Sequence, residues 1–175
     1  MKRTLIPTEK FTAQPHSLFD QQWFLLCCGD FEKKDFNCMT ISWGGLGTIW
    51  NLPMALVVVR HSRFTFQFME KYDSFTLNAF DEAYRDQLNI LGERSGRDMD
   101  KINQSGLTPI ASQKIKAPSF SEAELVLECR KMYWQDLNPA HFLDEQIWQH
   151  YENHDFHREY FGEVLAVFGI DKYML

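Results

Sequence analysis

Small hydroxyl residues and glycines follow one another between residues 37 and 47, and this stretch could bind a ligand. Thr40 and Ser42 alternate with Met39 and Ile41, so one face of a predicted strand carries hydroxyl groups. Glycines at positions 44, 45 and 47 let a ligand come close to the backbone. The pattern predicts a site for the polar edge of a flat heterocycle. A solvent-facing strand end followed by an ordinary turn is the alternative.

Two arginines and two hydroxyl residues then occur within six positions, at Arg60, Ser62, Arg63 and Thr65. Ser62 is predicted to be the N-cap of a helix, whose unpaired N–H groups and partial positive charge favour an anion. The guanidinium groups add full charges and a forked donor geometry that suits phosphate. These residues predict a site for an anionic tail, and an N-cap flanked by surface arginines is the alternative.

The sequence resembles the flavin reductase-like proteins, which bind FMN in a split β-barrel, and within them the flavoredoxin-like branch. The resemblance rests on motifs in the right order: N-x-M-T-x-S-W-G at 37–44, R-x-S-R-x-T at 60–65, F-T-L-N at 75–78, S-G-R-D-x-D-K at 95–101 and G-L-T-P at 106–109. Any one of these motifs alone is weak, but their order makes a chance match improbable. The match covers the first two thirds of the chain and is loose after Asp136.

This resemblance implies a mainly β fold with helical additions, a mostly antiparallel FMN-binding split β-barrel. It implies non-covalent FMN, NAD(P)H as electron donor, and a flavin, a metal centre or a protein as acceptor. A flavoredoxin-type electron carrier without its own nicotinamide site, or a non-catalytic FMN-binding protein, are the alternatives. The resemblance also implies a homodimer with the flavin near the subunit boundary.

The resemblance further implies which residues bind the cofactor, whereas no side chain is expected to be catalytic because the cofactor carries the chemistry. Arg97 and Lys101 are candidates to stabilise the anionic reduced flavin, and Ile102 stands where the family pattern has Phe. Asn78 is expected at the ribityl chain or phosphate, with a turn cap as its alternative. The implied FMN site consists of Asn37, Met39, Thr40, Ile41, Ser42, Trp43, Gly44, Arg60, Ser62, Arg63, Thr65, Asn78, Ser95, Gly96, Arg97 and Lys101.

Composition limits the class of protein. At 175 residues, the chain suits one domain over 1–175, with residues 1–21 as an extended N-terminal arm. A net charge of −6 argues against nucleic-acid binding. The four cysteines form no C-x-x-C pair, which favours free thiols in a cytoplasmic protein over zinc or thioredoxin-like chemistry. No apolar stretch is long enough to span a membrane.

The three histidines at 150, 154 and 157 could share one helix face and bind a metal, but aromatic packing is the favoured interpretation because no H-E-x-x-H pattern is present.

The spacing of apolar residues predicts the strands and helices that must position these groups. The glycine stretch is predicted to be a loop, and the apolar run before Arg60 a central strand. Asp81 can cap a helix that Gly92 ends. Residues 122–135 are interpreted as strand, with helix as the alternative, and 139–157 as helix or loop. Strands are predicted over 22–29, 36–42, 55–61, 74–80, 122–135 and 160–170, and helices over 64–72, 81–94 and 99–104.

Overall fold

A computed structural model describes residues 2–175, so Met1, the first residue of the predicted arm and domain, lies outside the described residues. Strands are β1 (Thr4–Ile6), β2 (Phe24–Asp30), β3 (Asp35–Ile41), β4 (Gly44–Ile49), β5 (Leu52–Arg60), β6 (Ser74–Ala79), β7 (Pro109–Ile110), β8 (Ser119–Phe120), β9 (Leu125–Asp136) and β10 (His157–Gly169). Helices are α1 (Pro15–Ser17), α2 (Phe64–Lys71), α3 (Arg85–Glu93) and α4 (Lys101–Ser105), and α1 runs into a π-helical turn, Leu18–Gln22.

An eight-stranded sheet in the order β3-β2-β6-β9-β10-β5-β4 dominates the fold, with β1 added to β10. Each of its strand pairs is antiparallel. Within residues 2–175, β3 and β4 are not paired with each other, so the sheet does not close on itself. The chain crosses between these two ends through Ser42 and Trp43. The predicted mostly antiparallel fold with helical additions is confirmed.

Two apolar clusters cover the two faces of the sheet. Phe24 and Leu26 of β2 join one cluster, and Leu25 between them joins the other. Each large side chain buried in this way stabilises the fold by about 1.5–3 kcal/mol. Met69 of α2 packs in the first cluster and Leu91 of α3 in the second. The two helices therefore lie on opposite faces of the sheet, with the end of β3 between them.

The glycine stretch is a strand, so the predicted loop is wrong. Gly44–Ile49 pairs with β5 from Gly44↔Val57 to Ile49↔Leu52. Trp50 and Asn51 connect the two strands with φ angles of 50° and 59°, as in the tight turns that match the twist of a hairpin. The prediction that the 55–61 strand is central is also wrong, because β5 is next to the edge strand β4 and buries only alternate residues.

Other boundaries differ in detail. The arm predicted over 1–21 is not extended throughout, since residues 15–22 are helical where Pro15 starts a turn. Ser62 does not cap α2: the N-cap position is Arg63, and it makes no side-chain capping bond. Gly92 does not end α3, which continues to Glu93. The predicted cap at Asp81 is confirmed by the bond that its carboxylate accepts from the Ala83 N–H.

The remaining element predictions are confirmed. Residues 125–136 form a strand and not a helix. Gly106, with φ of 74°, ends α4. The segment 139–157 consists of short 3₁₀ turns, Pro139–His141 and Glu145–His150, joined by irregular chain. Among residues 2–175, no helix has both the length and the apolar character required to cross a bilayer.

Candidate functional site

A cleft of about 260 Å³ lies where the end of β3 meets β5 and β10. The antiparallel register places His157, the first residue of β10, directly opposite Arg60, the last residue of β5. Val58 lies on the same face of β5 as Arg60. We call this the ring cleft; its lining residues are Met39, Thr40, Ile41, Ser42, Trp43, Val58, Arg60 and His157.

The predicted alternation along β3 is present in this cleft. Met39 and Ile41 are buried in the core, whereas Thr40 and Ser42 are half-buried on the other face. The Thr40 hydroxyl donates to the Leu88 carbonyl of α3 at 2.5 Å, so this hydroxyl fixes the strand to the helix. Ser42 is therefore the hydroxyl of this pair that remains available to a ligand.

Trp43 forms the wall of the ring cleft and keeps 41% of its surface exposed. Its ring lies 5.1 Å from the His150 ring, edge to face, and 5.2 Å from the His157 ring. The hydroxyl of Tyr151 lies 2.8 Å from His157 Nδ1 and can donate to it. Burial, followed by the charge of Arg60, lowers the pKa of His157 to about 4. A neutral imidazole and an indole therefore face a ligand in this cleft.

A second cleft, of about 170 Å³, lies at the start of α2 and the end of α3. Four cationic side chains and only one carboxylate line it, so the local charge is positive although the chain is acidic. Two serines and one threonine add hydroxyl groups. We call this the anion cleft; its lining residues are Ser62, Arg63, Phe64, Thr65, Glu93, Arg94, Ser95, Arg97 and Lys101.

Backbone carbonyls hold these cations in place. Lys101 is only 3% exposed, and its Nζ donates to the carbonyls of Leu91 at 2.7 Å and Arg94 at 3.1 Å. Arg97 donates to the Ser62 carbonyl at 3.0 Å. Desolvation is the main cause that lowers the pKa of Lys101. An anion that entered the cleft would therefore stabilise the charged form of Lys101.

Arg63 is fixed in a similar way by the end of α3. Its guanidinium donates to the Gly92 carbonyl, and burial followed by the charge of Arg60 lowers its pKa. Because an arginine carries five N–H donors, Arg63 keeps donors for an anion after this contact. The predicted arginine at the strand-to-helix turn therefore lines the anion cleft.

Asn37 and Thr65 brace the wall between the two clefts. Both are buried, and Asn37 Nδ2 donates to Thr65 Oγ1 at 2.7 Å. Gly96 packs against this pair, since a Cβ at position 96 would lie 2.6 Å from Asn37 Oδ1 and 2.9 Å from the Phe64 ring. A side chain at Gly96 would therefore displace this wall.

The structure does not bring Asn78 to either cleft. Asn78 is fully buried within β6, where its Nδ2 donates to the Leu25 carbonyl at 3.1 Å and to Thr76 Oγ1 at 2.9 Å. Gly44 also lies outside both clefts and lines a third one, beyond Trp43. The other predicted residues line the ring cleft or the anion cleft, or brace the wall between them.

Asp155 is a site residue that the sequence did not predict. Its carboxylate accepts from the Ser62 hydroxyl at 2.5 Å and from the Ser62 N–H at 3.3 Å. Arg60 donates to the carbonyls of Asp155 at 2.7 Å and His150 at 2.9 Å, with its guanidinium 5.0 Å from the Tyr151 ring centre. Arg60 thus holds segment 139–157 against the end of β5. Among residues 2–175, no group of three or more His, Cys, Asp or Glu is placed to hold a metal.

Solved structures with a similar fold have names that refer to flavins. Flavoredoxin of Desulfovibrio vulgaris (Miyazaki F) is 21% identical, with a TM-score of 0.67 over 98% of this chain and 78% of its own. An FMN-binding domain of a flavin reductase-like enzyme from Shewanella baltica is 15% identical, with a TM-score of 0.67 over 96% and 77%. An NADH:FAD oxidoreductase of Streptomyces globisporus is 14% identical, with a TM-score of 0.64 over 83% and 74%.

At these identities, the structural likeness shows the fold alone. Among curated proteins, none matches the sequence. The family model for the flavin reductase like domain matches residues 18–167, which is most of the chain. This match includes the end of β3, the strand-to-helix turn and the first residues of β10, which together build both clefts. The chain therefore belongs to the flavin reductase-like domain family.

Proposed function

We propose that this protein is an FMN-dependent oxidoreductase that passes electrons from NAD(P)H to a flavin, a metal centre or a protein acceptor. The observation that carries the proposal is the anion cleft, where four cations and three hydroxyl residues converge next to a cleft walled by Trp43. Arg60 lines one cleft and Ser62, two residues later, lines the other. A flat ring joined to a phosphate by a short chain suits this arrangement.

The donor set of the chain fits FMN. Arg63, Arg97 and Lys101 would hold the phosphate as charged donors, and Ser62, Thr65 and Ser95 lie at the same cleft. Ser42 and the backbone after Trp43 would face the polar edge of the ring. Bound flavin would supply the hydride and electron transfer.

The chain itself then has three tasks. The anion cleft binds and orients the phosphate, which fixes the position of the attached ring. Trp43 and neutral His157 exclude water from one side of the ring cleft. The positive charge of Arg97 and Lys101 would stabilise negative charge that develops on a reduced ring.

We further propose a homodimer formed through the outer face of β5 and β10. Leu56 and Phe161 lie opposite each other on this face, and Tyr133 of β9 is paired with Phe161 on its other side. Trp50 at the β4–β5 turn extends the surface and is 58% exposed. Val58 belongs to the same face and lines the ring cleft. A second copy there would place the ring cleft beside the subunit boundary.

A cytoplasmic location belongs to the same proposal. All four cysteines are buried free thiols, as is usual for proteins of a reducing compartment.

Flavin titration and rapid reduction test the proposed function. We expect protein incubated with FMN to remain yellow after gel filtration, and NADH or NADPH to bleach the flavin absorption band in a stopped-flow experiment. Bleaching by reduced protein carriers alone would instead identify a flavoredoxin-type carrier. Protein that stays colourless with FMN would refute flavin-dependent chemistry.

A further inference from the structure

We propose that the third cleft, beside Trp43, binds an uncharged aromatic carbonyl compound. This inference rests on the proposed function, because the ligand would lie beside the position proposed for the flavin ring. The cleft measures about 980 Å³ and lies between the helical segment Pro15–Gln21 and the start of β4. It shares Ser42 and Trp43 with the ring cleft, so occupants of the two clefts would be neighbours.

Charge is the first argument for an uncharged ligand. Among residues 2–175, no arginine or lysine lines this cleft, and its ionisable side chains are His16 and Asp20. The anion cleft, in contrast, carries four cations. A phosphate or carboxylate placed in the third cleft would meet the Asp20 carboxylate without a fixed positive charge to compensate. Such like-charge juxtaposition is how binding sites reject the wrong partner.

The apolar surface is the second argument, and it favours a flat ring. Trp43 presents an indole that is 41% exposed, and Phe19 closes the cleft beneath it. Phe19 can approach β4 only because position 44 is glycine: a Cβ on Gly44 would lie 2.5 Å from the Phe19 ring, and φ there is 156°. Aromatic side chains favour stacked or edge-to-face contact with another ring.

Hydrogen-bond donors at the cleft are the third argument, and they favour a carbonyl oxygen. Gln14, just before the helical segment, and Gln21, at its end, line the cleft. The Ser17 hydroxyl donates to Gln21 Oε1 at 2.9 Å, which leaves the amide N–H₂ of Gln21 as its free polar group. Gly45 adds strand backbone to the cleft. No atom lies within 4 Å of the position that a Cβ would take at Gly45, so a planar molecule can reach the strand there.

A charge-matched pair of probes tests the inference on the protein as purified. 2-Acetylnaphthalene is the uncharged probe, and 6-acetyl-2-naphthoate adds one carboxylate to the same ring. Calorimetric titration should show the neutral probe binding about tenfold more tightly than the anion. Backbone amide shifts in NMR spectra should map the neutral probe to residues 17–21 and 43–46. Equal affinity for both probes, or shifts centred elsewhere, would overturn the proposal.

Asp20→Lys tests the source of the selectivity, with Asp86→Lys, an exposed position of α3 outside the cleft, as its matched control. Asp20→Lys should remove or reverse the preference for the neutral probe, and Asp86→Lys should preserve it. The same change in both variants would refute the role of this cleft. An FMN titration of each sample separates the two proposals: probe binding without flavin binding refutes the proposed function alone, and flavin binding without probe selectivity refutes this inference alone.

Discussion

The Ser62 hydroxyl donates to the Asp155 carboxylate at 2.5 Å, although the sequence predicts Ser62 as the cap of α2. A carboxylate from segment 139–157 therefore lies at the edge of the anion cleft. Arg60 holds the backbone of the same segment through the Asp155 and His150 carbonyls. Asp155 thus adds a second carboxylate, besides Glu93, at a cleft with four cations, and its charge should weaken phosphate binding.

Asp155→Asn should strengthen FMN binding about tenfold, because it removes one negative charge near the phosphate. Asparagine keeps an oxygen that can accept from Ser62, so the segment should stay in place. Fluorescence titration with FMN and with riboflavin measures the effect, and only FMN should gain. Glu152→Gln, an exposed carboxylate in the same segment, is the control. Weaker FMN binding by Asp155→Asn would show that Asp155 supports the site.

Arg63→Ala should weaken FMN binding by about 2 kcal/mol through loss of a charge-assisted contact to phosphate. Riboflavin lacks the phosphate, so its affinity should change little. The measurement is the ratio of FMN to riboflavin affinity in a flavin fluorescence titration. Arg130→Ala, which removes a mainly exposed arginine paired with Glu163 on the sheet, should leave this ratio unchanged. An unchanged ratio in Arg63→Ala would contradict the phosphate assignment.

Ser42→Val should affect flavin binding or the flavin reduction potential more than the stability of the fold. The Ser42 side chain is half-buried at the ring cleft, so valine removes a polar partner of the ring without opening a cavity. We expect a shift of the flavin reduction potential or a loss of affinity, with the melting temperature lowered by less than about 3 °C. Thr48→Val on β4 is the control. A purely destabilising effect of Ser42→Val would make Ser42 a packing residue.

His157 should make the protein less stable in acid. Its folded pKa of about 4 lies below the ordinary value of 6.5, because burial and the charges of Arg60 and His61 outweigh Asp155. The unfolded chain therefore binds a proton first as the pH falls from 6.5 to 4, and about 3 kcal/mol of stability should be lost in that window.

His157→Gln should flatten this part of the stability profile, and His141→Gln, at an exposed position, should not. Urea unfolding at several pH values measures how the free energy of unfolding of each variant depends on pH. A wild-type profile that is flat between pH 4 and 6.5, or the same slope in His157→Gln, would refute the assignment.

Leu56→Glu should convert the proposed dimer to a monomer, because it places a charge in the apolar outer face of β5. Analytical ultracentrifugation of the wild type and the variant gives the two masses. Leu143→Glu changes a leucine that is 97% exposed in segment 139–157 and should leave the mass unchanged. A monomeric wild type, or a Leu56→Glu variant that still forms a dimer, would contradict the proposed interface.

Much of the fold and of both clefts can be predicted from local sequence. The features that the sequence did not predict depend on pairing between strands that are distant in the chain. The R-x-S-R-x-T stretch places Arg63 at a strand-to-helix turn by itself, and α2 begins one residue later. Gly44–Ile49 has the composition of a loop and becomes a strand only because β5 folds back on it through Trp50 and Asn51. His157 reaches the ring cleft through its register opposite Arg60, which the spacing of the histidines does not reveal.

The buried contact of Lys101 has a consequence for how fast a ligand can be recognised. Its ammonium group is tied to two carbonyls at the end of α3. The positive charge at the anion cleft is thus fixed in place when the chain folds. Little reorientation of side chains is needed when a negatively charged molecule arrives. Capture should consequently approach a rate set by diffusion and salt concentration, with no slow closing step.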